Sequence, residues 1–384
     1  MTNFVFETAP RVVCEIGAAA RLGSFAQELG MRHAMLVTDK GLVQAGVLDG
    51  VLDGFRTAGV VTTVFTDVLA DPPEESVLAA VAVARAEGAD GIIGFGGGSS
   101  LDTAKLVALL AGTPQALGEI YGIGLAKGPR LPLIQVPTTA GTGSEVTPIA
   151  IVTTPTQEKK GVVSPLLYPD VAVLDGSLTV GLPPRVTAMT GIDAMVHAIE
   201  AYTTRHKKNP LSDALAVKAL ELLHGNIRRV IADGTDLAAR SAMLQGSLLA
   251  GMAFANAPVA AVHALAYPLG GHFHVPHGLS NALVLAPVLE FNKPAAEQLY
   301  AELAEVVLPG QRFAGTAAAA QAFIDEIVTL VAEMPFEQRL REVGVGEGDL
   351  DLLAHDVMNI QRLLVNNPRD VSEADARAIY ASVL

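Results

Sequence analysis

Gly91-Ile-Ile-Gly-Phe95-Gly96-Gly97-Gly98-Ser99-Ser100 passes from a short apolar run through three consecutive glycines into a pair of serines. The apolar part reads as a strand, the glycines as a tight loop, and the sequence from about Leu101 as a helix. Glycines let a pyrophosphate approach the backbone, and a helix start offers unpaired N–H groups and the positive end of its dipole. Ser99 can cap the helix and donate to a phosphate. A glycine cluster alone also suits a purely structural turn. The usual dinucleotide fingerprint is only partly matched, because Gly94-Phe-Gly96 is followed by Gly-Gly-Ser and no acid follows a second strand at the expected distance. Asp39, at the end of an earlier apolar run, is the better candidate for a ribose partner; a solvated turn residue is its other reading.

The same alternation extends to either side. Ala34-Met-Leu-Val-Thr38 reads as a strand leaving into Asp39-Lys-Gly41, and β-branched Val60–Thr66 as a second strand. Glu74 to Gly88 starts after Pro72-Pro73 and ends at a glycine, which are helix signals. Leu133-Ile-Gln-Val136 is a further strand. Strands alternating with helices predict a parallel sheet. Beyond Leu182-Pro183-Pro184 the chain becomes Ala/Leu-rich and helical in pattern. The expected organisation is an α/β domain over 1–182 and an all-helical domain over 183–384, with a ligand in the cleft between them.

The totals agree with two domains, since 384 residues exceed one ordinary core. Half the residues are hydrophobic and 17% are charged, which argues against disorder. A net charge of −14 disfavours nucleic acid or an anionic membrane as partner. No uninterrupted apolar run reaches membrane-spanning length, and the start, Met-Thr-Asn-Phe-Val-Phe-Glu, lacks the layout of a signal peptide. With Cys14 as the only cysteine, no intrachain disulfide is possible, and a cytoplasmic setting is expected.

In Gly191-Ile-Asp193-Ala-Met-Val-His197-Ala-Ile-Glu200, a carboxylate and an imidazole stand four residues apart, on one helix face. From Ser241 to Leu289 there is no Asp, Glu, Lys or Arg, yet four of the nine histidines, His263, His272, His274 and His277, lie there. A stretch so poor in charge is expected to be buried, and buried imidazoles need partners. One divalent metal held by Asp193, His197, His263 and His277 would satisfy all four. The alternative for any single histidine is an ordinary core residue.

These pieces together resemble the iron-containing, group III alcohol dehydrogenase family over essentially the whole chain. The resemblance is carried by Thr38-Asp39-Lys40-Gly41, Gly96-Gly-Gly-Ser-Ser-Leu-Asp102-Thr-Ala-Lys105 and Pro137-Thr138-Thr139-Ala-Gly141-Thr142-Gly143-Ser144-Glu145. It continues through Gly191–His197, His263 with Pro276-His277-Gly278, and Asn367-Pro368-Arg369. It implies a dinucleotide-binding α/β domain over 1–182, a helical domain over 183–384 and a metal site in the cleft between them, with ligands at Asp193, His197, His263 and His277. It implies cofactor contacts at Asp39, Gly97, Gly98, Ser99, Thr138, Thr139 and Thr142, with Asp102 in the same motif. Two positions depart: many members carry a histidine where this chain has Tyr267, and Asn-Pro where it has Asp71-Pro72. Tyr267, His272, His274 and Phe254 are the candidates for contact with substrate.

The resemblance implies an oxidoreductase that moves hydride between NAD(H) and a small neutral alcohol or aldehyde, with a divalent metal polarising the substrate oxygen. Fe(II) is expected, and Zn(II) also suits the ligand set. A homodimer or larger homo-oligomer is expected. Two other enzymes share the architecture. A maleylacetate reductase-like enzyme generally lacks the full ligand set, against which Asp193 argues. A 3-dehydroquinate synthase-like lyase needs several basic residues around its metal, and the segment of His263 and His277 has none. Asp39 would accept from a ribose 2′-hydroxyl and repel a 2′-phosphate, so NAD is expected over NADP. Asp39→Gly should narrow that preference; an unchanged ratio of NAD to NADP efficiency would remove Asp39 from the argument.

Overall fold

The structure, a computed structural model, describes residues 3–156 and 158–384. Nine strands occur among them: β1 (Val12–Cys14), β2 (His33–Val37), β3 (Val61–Phe65), β4 (Gly91–Gly96), β5 (Gly122–Ile123), β6 (Leu133–Pro137), β7 (Ile149–Thr153), β8 (Lys159–Val163) and β9 (Val171–Leu174). Six form one sheet in the order β1-β9-β6-β4-β2-β3, with every pairing parallel. The expected parallel sheet is therefore present. A second sheet, β5-β8-β7, contains an antiparallel pair that the alternation of strands and helices did not announce.

Parallel strands are covered by helices on both faces, so their residues are apolar without alternation. Every residue of β4, β6 and β9 is buried. The pleat sends Met35, Val37 and Ile92 into one core and Ala34, Leu36, Ile93 and Phe95 into the other. From β2 the chain winds outward to β3, returns across β2 to β4, and continues through β6 to β9. The winding reverses between β2 and β4, and ligands of such sheets bind beyond the carboxyl ends of the strands at the reversal. Asp39 follows β2 and Gly97-Gly98-Ser99 follows β4, so topology brings both to that point.

The helix after β4 runs Gly98–Gly112, three residues earlier than the expected start near Leu101. Gly97 is its N-cap and no side chain caps it. Ser99 thus lies inside the first turn, which corrects its reading as a cap. Gly96 has φ of +149°, and a Cβ there would stand 2.6 Å from Ser100 Oγ, so only glycine fits between the strand and the helix.

The helix is tied to the residues after β6 by a buried polar cluster. Lys105 is fully buried, and its ammonium donates to Ser144 Oγ (2.7 Å), Thr147 Oγ1 (3.2 Å) and the Ile149 carbonyl (2.7 Å). Burial pushes the Lys105 pKa down, against the pull of Asp102.

Two compact units result. One comprises Glu7–Leu182 and Thr235–Leu248; the other comprises Pro183–Gly234, Leu249–Leu384 and residues 3–6. A single cut after residue 182 does not describe this division, because the first part of the helix Leu237–Asn256 is packed with the sheet unit. The other unit has no strand among the described residues. Its helices include Pro184–Thr203, Pro210–Ala232, Ala261–Phe273, His277–Val307 and Thr316–Ala332. Proline opens the first two at positions where a helix needs no N–H donor. Among the described residues no single helix is long and apolar enough to cross a membrane; one pair, Leu237–Asn256 with Ala261–Phe273, passes by length and composition only jointly, bent by 104°.

Glu145 lies in the same buried region as Lys105, and burial pushes its carboxyl up to about 7, with Lys105 pulling the other way. A carboxyl that is harder to ionise when folded holds its proton in the native state, so stability declines as pH rises from about 4.5 through about 7. Glu145→Gln should flatten that decline, read as Tm against pH for both proteins; parallel curves would disconnect Glu145 from it.

Candidate metal centre and nucleotide loop

Asp193 and His197 stand one turn apart on the helix Pro184–Thr203. His263 is in the first turn of Ala261–Phe273, and His277 is the first residue of His277–Val307. Gly278 makes the meeting possible. A Cβ on it would stand 2.4 Å from the Met189 carbonyl oxygen and 3.4 Å from Asp193 Cβ, so a larger residue would push His277 away from Asp193. One ligand atom from each of the four residues lies within 4.8 Å of all the others. His277 Nε2 is 3.6 Å, and His263 Nε2 3.9 Å, from Asp193 Oδ1.

The donor set fits a divalent metal. One carboxylate and three imidazoles are gathered in a mostly buried cluster, an arrangement that is costly unless a cation joins them. Burial pushes the Asp193 carboxyl up, but His197, His277, His263 and the Asn281 amide together hold it below its ordinary value, so it stays a carboxylate. The Asn281 amide donates to Asp193 Oδ1 at 2.6 Å.

Glu200 is the residue the sequence reading did not assign. Its carboxylate accepts from the backbone N–H of Ala260 (2.9 Å) and of Val262 (2.7 Å), and from His263 Nδ1 (2.6 Å). With the proton on Nδ1 facing a carboxylate, Nε2 of His263 keeps its lone pair for the cluster. The sequence held a signal for it, since Asp193, His197 and Glu200 fall on one helical stripe at i, i+4 and i+7. Asn281 has a similar one, four residues after His277.

Of the residues expected at the substrate, Phe254 stacks on His197 with ring centroids 4.3 Å apart and planes 19° from parallel. The Tyr267 ring lies 6.1 Å from that of His277. His272 and His274 are exposed and are not in the group of four. His272 pairs with Asp356 at 2.6 Å, and His274 ends its helix in the left-handed conformation.

At the other site, Asp39 accepts from Leu42 N–H through Oδ1 (3.1 Å) and so caps the helix Lys40–Gln44. Thr138 is buried and its N–H donates to the Gly96 carbonyl (2.9 Å). Thr139 stands beside Gly97, and Thr142 packs on Gly98, where a Cβ would meet its Cγ2 at 2.8 Å. The loop after β6 therefore lies against the start of the helix that follows β4. Asp102 is oriented inward: Oδ1 accepts from Ser144 Oγ (2.5 Å) and Oδ2 from Ile151 N–H (2.9 Å). Both its oxygens are engaged by the protein, so it braces this loop.

Two family models match the chain. "Iron-containing alcohol dehydrogenase" covers residues 9–176, and "Fe-containing alcohol dehydrogenase family, C-terminal" covers residues 187–384. The chain is 42% identical to "Long-chain-alcohol dehydrogenase 1" of Geobacillus thermodenitrificans, over 95% of this chain and 92% of that one. It is 37% identical to "Probable alcohol dehydrogenase EutG" of Escherichia coli, over 98% and 94%. A crystal structure of 1,3-propanediol oxidoreductase superposes with a TM-score of 0.96 at 36% identity, over 100% of both chains.

Glu200→Gln should weaken divalent metal binding by about 10- to 100-fold, because the partner that fixes a ligating imidazole is weakened. Chelator competition measures this directly; wild-type affinity in the variant would leave Glu200 with a packing role only.

Proposed function

The chain belongs to the iron-containing alcohol dehydrogenase family, and from that premise we propose that it interconverts small alcohols and aldehydes with NAD(H), at a divalent metal held by Asp193, His197, His263 and His277. The observation that carries this reading is the gathering of those four donors within 4.8 Å. The metal, when bound, supplies Lewis acidity toward the substrate oxygen. We assign Fe(II) as the native ion with Zn(II) as a working substitute, and NAD(H) as the preferred nucleotide.

The chain's own residues position and hold. Glu200 orients His263, Asn281 orients Asp193, and Phe254 limits rotation of the His197 ring. Gly98 and Ser99 present first-turn N–H groups to a pyrophosphate, in a loop lined by Thr138, Thr139 and Thr142. Asp39 spends one oxygen on its helix cap and keeps the other for a ribose hydroxyl. Tyr267 keeps its own O–H donor for a substrate oxygen or water, where many relatives carry a histidine. The sheet unit takes the nucleotide and the helical unit the metal and substrate. The uncharged stretch 241–289 suits an uncharged reacting end. The chain acts in the cytoplasm as a homodimer or larger assembly. The complete ligand set favours this reading over a maleylacetate reductase-like enzyme. The lack of Arg and Lys in the segment 241–289 that carries His263 and His277 favours it over a 3-dehydroquinate synthase-like lyase.

The test is NADH formation from short primary alcohols and diols, by metal-stripped protein and by protein reloaded anaerobically with Fe(II) or Zn(II). Activity should vanish on stripping and return on reloading. Equal activity without metal would remove the ligand assignment.

A further inference from the structure

The group of four is unevenly covered. The side chains of Asp193 and His263 are 3% exposed, whereas that of His277 is 35% exposed. His277 is therefore the member of the four most open to solvent. The aromatic side chain beside His277 is Tyr267, with its ring tilted 54° to the imidazole. Arg362 covers Tyr267 in turn: its guanidinium carbon lies 5.7 Å from the ring centroid, and Nη2 donates to the tyrosine hydroxyl at 3.4 Å. Arg362 lies outside the uncharged stretch 241–289, and the fold brings it against Tyr267.

The guanidinium is exposed, and among the described residues no acidic side chain is paired with it. The neighbouring acids in sequence are engaged elsewhere, Asp356 with His272 (2.6 Å) and Asp370 with Arg205 (2.8 Å). One of its five donors is spent on Tyr267, and stacking on the ring holds the planar fork without consuming the others. Such a fork matches the paired oxygens of a carboxylate or sulfonate better than any uncharged group.

Resting on the reaction proposed above, we infer that Arg362, held by Tyr267, determines specificity at the far end of the substrate. The site takes short aldehydes and alcohols whose far end carries a carboxylate or sulfonate, in preference to uncharged ones of the same length. The reacting carbon sits in the uncharged segment, and only the remote anion meets the arginine. This departs from the expected neutral substrate: the reacting end stays uncharged and the far end carries the charge.

The comparison is between 4-oxobutanoate and butanal, four-carbon aldehydes that differ at the far end, in NADH oxidation by the metal-loaded enzyme. The wild type should favour 4-oxobutanoate in kcat/KM. Arg362→Ala should lower the ratio of the two efficiencies about tenfold or more, as expected for one lost charge-assisted contact. The loss should lie in KM for the acid and not in kcat, since the contact is equal in ground and transition states. Tyr267→Phe should lower the ratio less, and Arg362→Gln carries the same expectation as alanine should the latter misfold. A ratio within twofold of wild type in both Arg362 variants overturns the inference. If the wild type reduces neither aldehyde, the reaction itself is misassigned. Calorimetric titration with succinate then decides the role of Arg362, which requires about tenfold weaker binding in Arg362→Ala and is refuted by equal binding.

Discussion

The hydrogen bond from His263 Nδ1 to the Glu200 carboxylate is the contact on which the helical unit's site is built. It joins the helix that carries Asp193 and His197 to the helix that carries His263. The same carboxylate receives the N–H groups of Ala260 and Val262, so it also closes the start of the second helix, where no side chain serves as cap. Hydrogen bonds to charged acceptors contribute about 1.5–3 kcal/mol each, and a buried carboxylate that lost them would be left uncompensated. The register of the two helices and the direction of the His263 ring are thus one constraint. Gly278 adds the third helix by allowing its first turn to touch Met189.

The nucleotide loop is organised by different means. There the backbone does the work, and side chains mainly hold the backbone in place. Gly96 and Gly98 remove atoms where a strand, a helix and the loop after β6 converge. Lys105 and Asp102 lie beneath that convergence and bind the helix to residues 144–151. A motif of this kind looks like a list of phosphate contacts when read as sequence, yet part of it is the scaffold of the loop.

How much was legible follows from this contrast. The main sheet was readable because buried parallel strands are short, apolar and punctuated by glycine or proline, as in Gly91–Gly96 and Leu133–Pro137. The small sheet was not, since Lys159–Val163 carries charge and pairs through its backbone with Ile149–Thr153. The four ligands were readable because their chemistry is rare in an uncharged interior. Glu200 shares the helical stripe of Asp193 and His197, but a glutamate near a helix end reads as solvated until its three donors are seen. His272 and His274 misled for the opposite reason: their place in an uncharged stretch suggested burial, but the chain turns outward after Leu269 and leaves both exposed. Arg362 could not be found from sequence, as 95 residues separate it from Tyr267.

Asp193 and Glu200 have a joint electrical consequence. Both carboxylates are buried, and the imidazoles between them are neutral when they act as ligands. Two negative charges and a doubly positive ion sum to zero, the cheapest total for a region shielded from water. A triply positive ion would leave one uncompensated charge there. The charge of these buried side chains is therefore matched to a divalent ion.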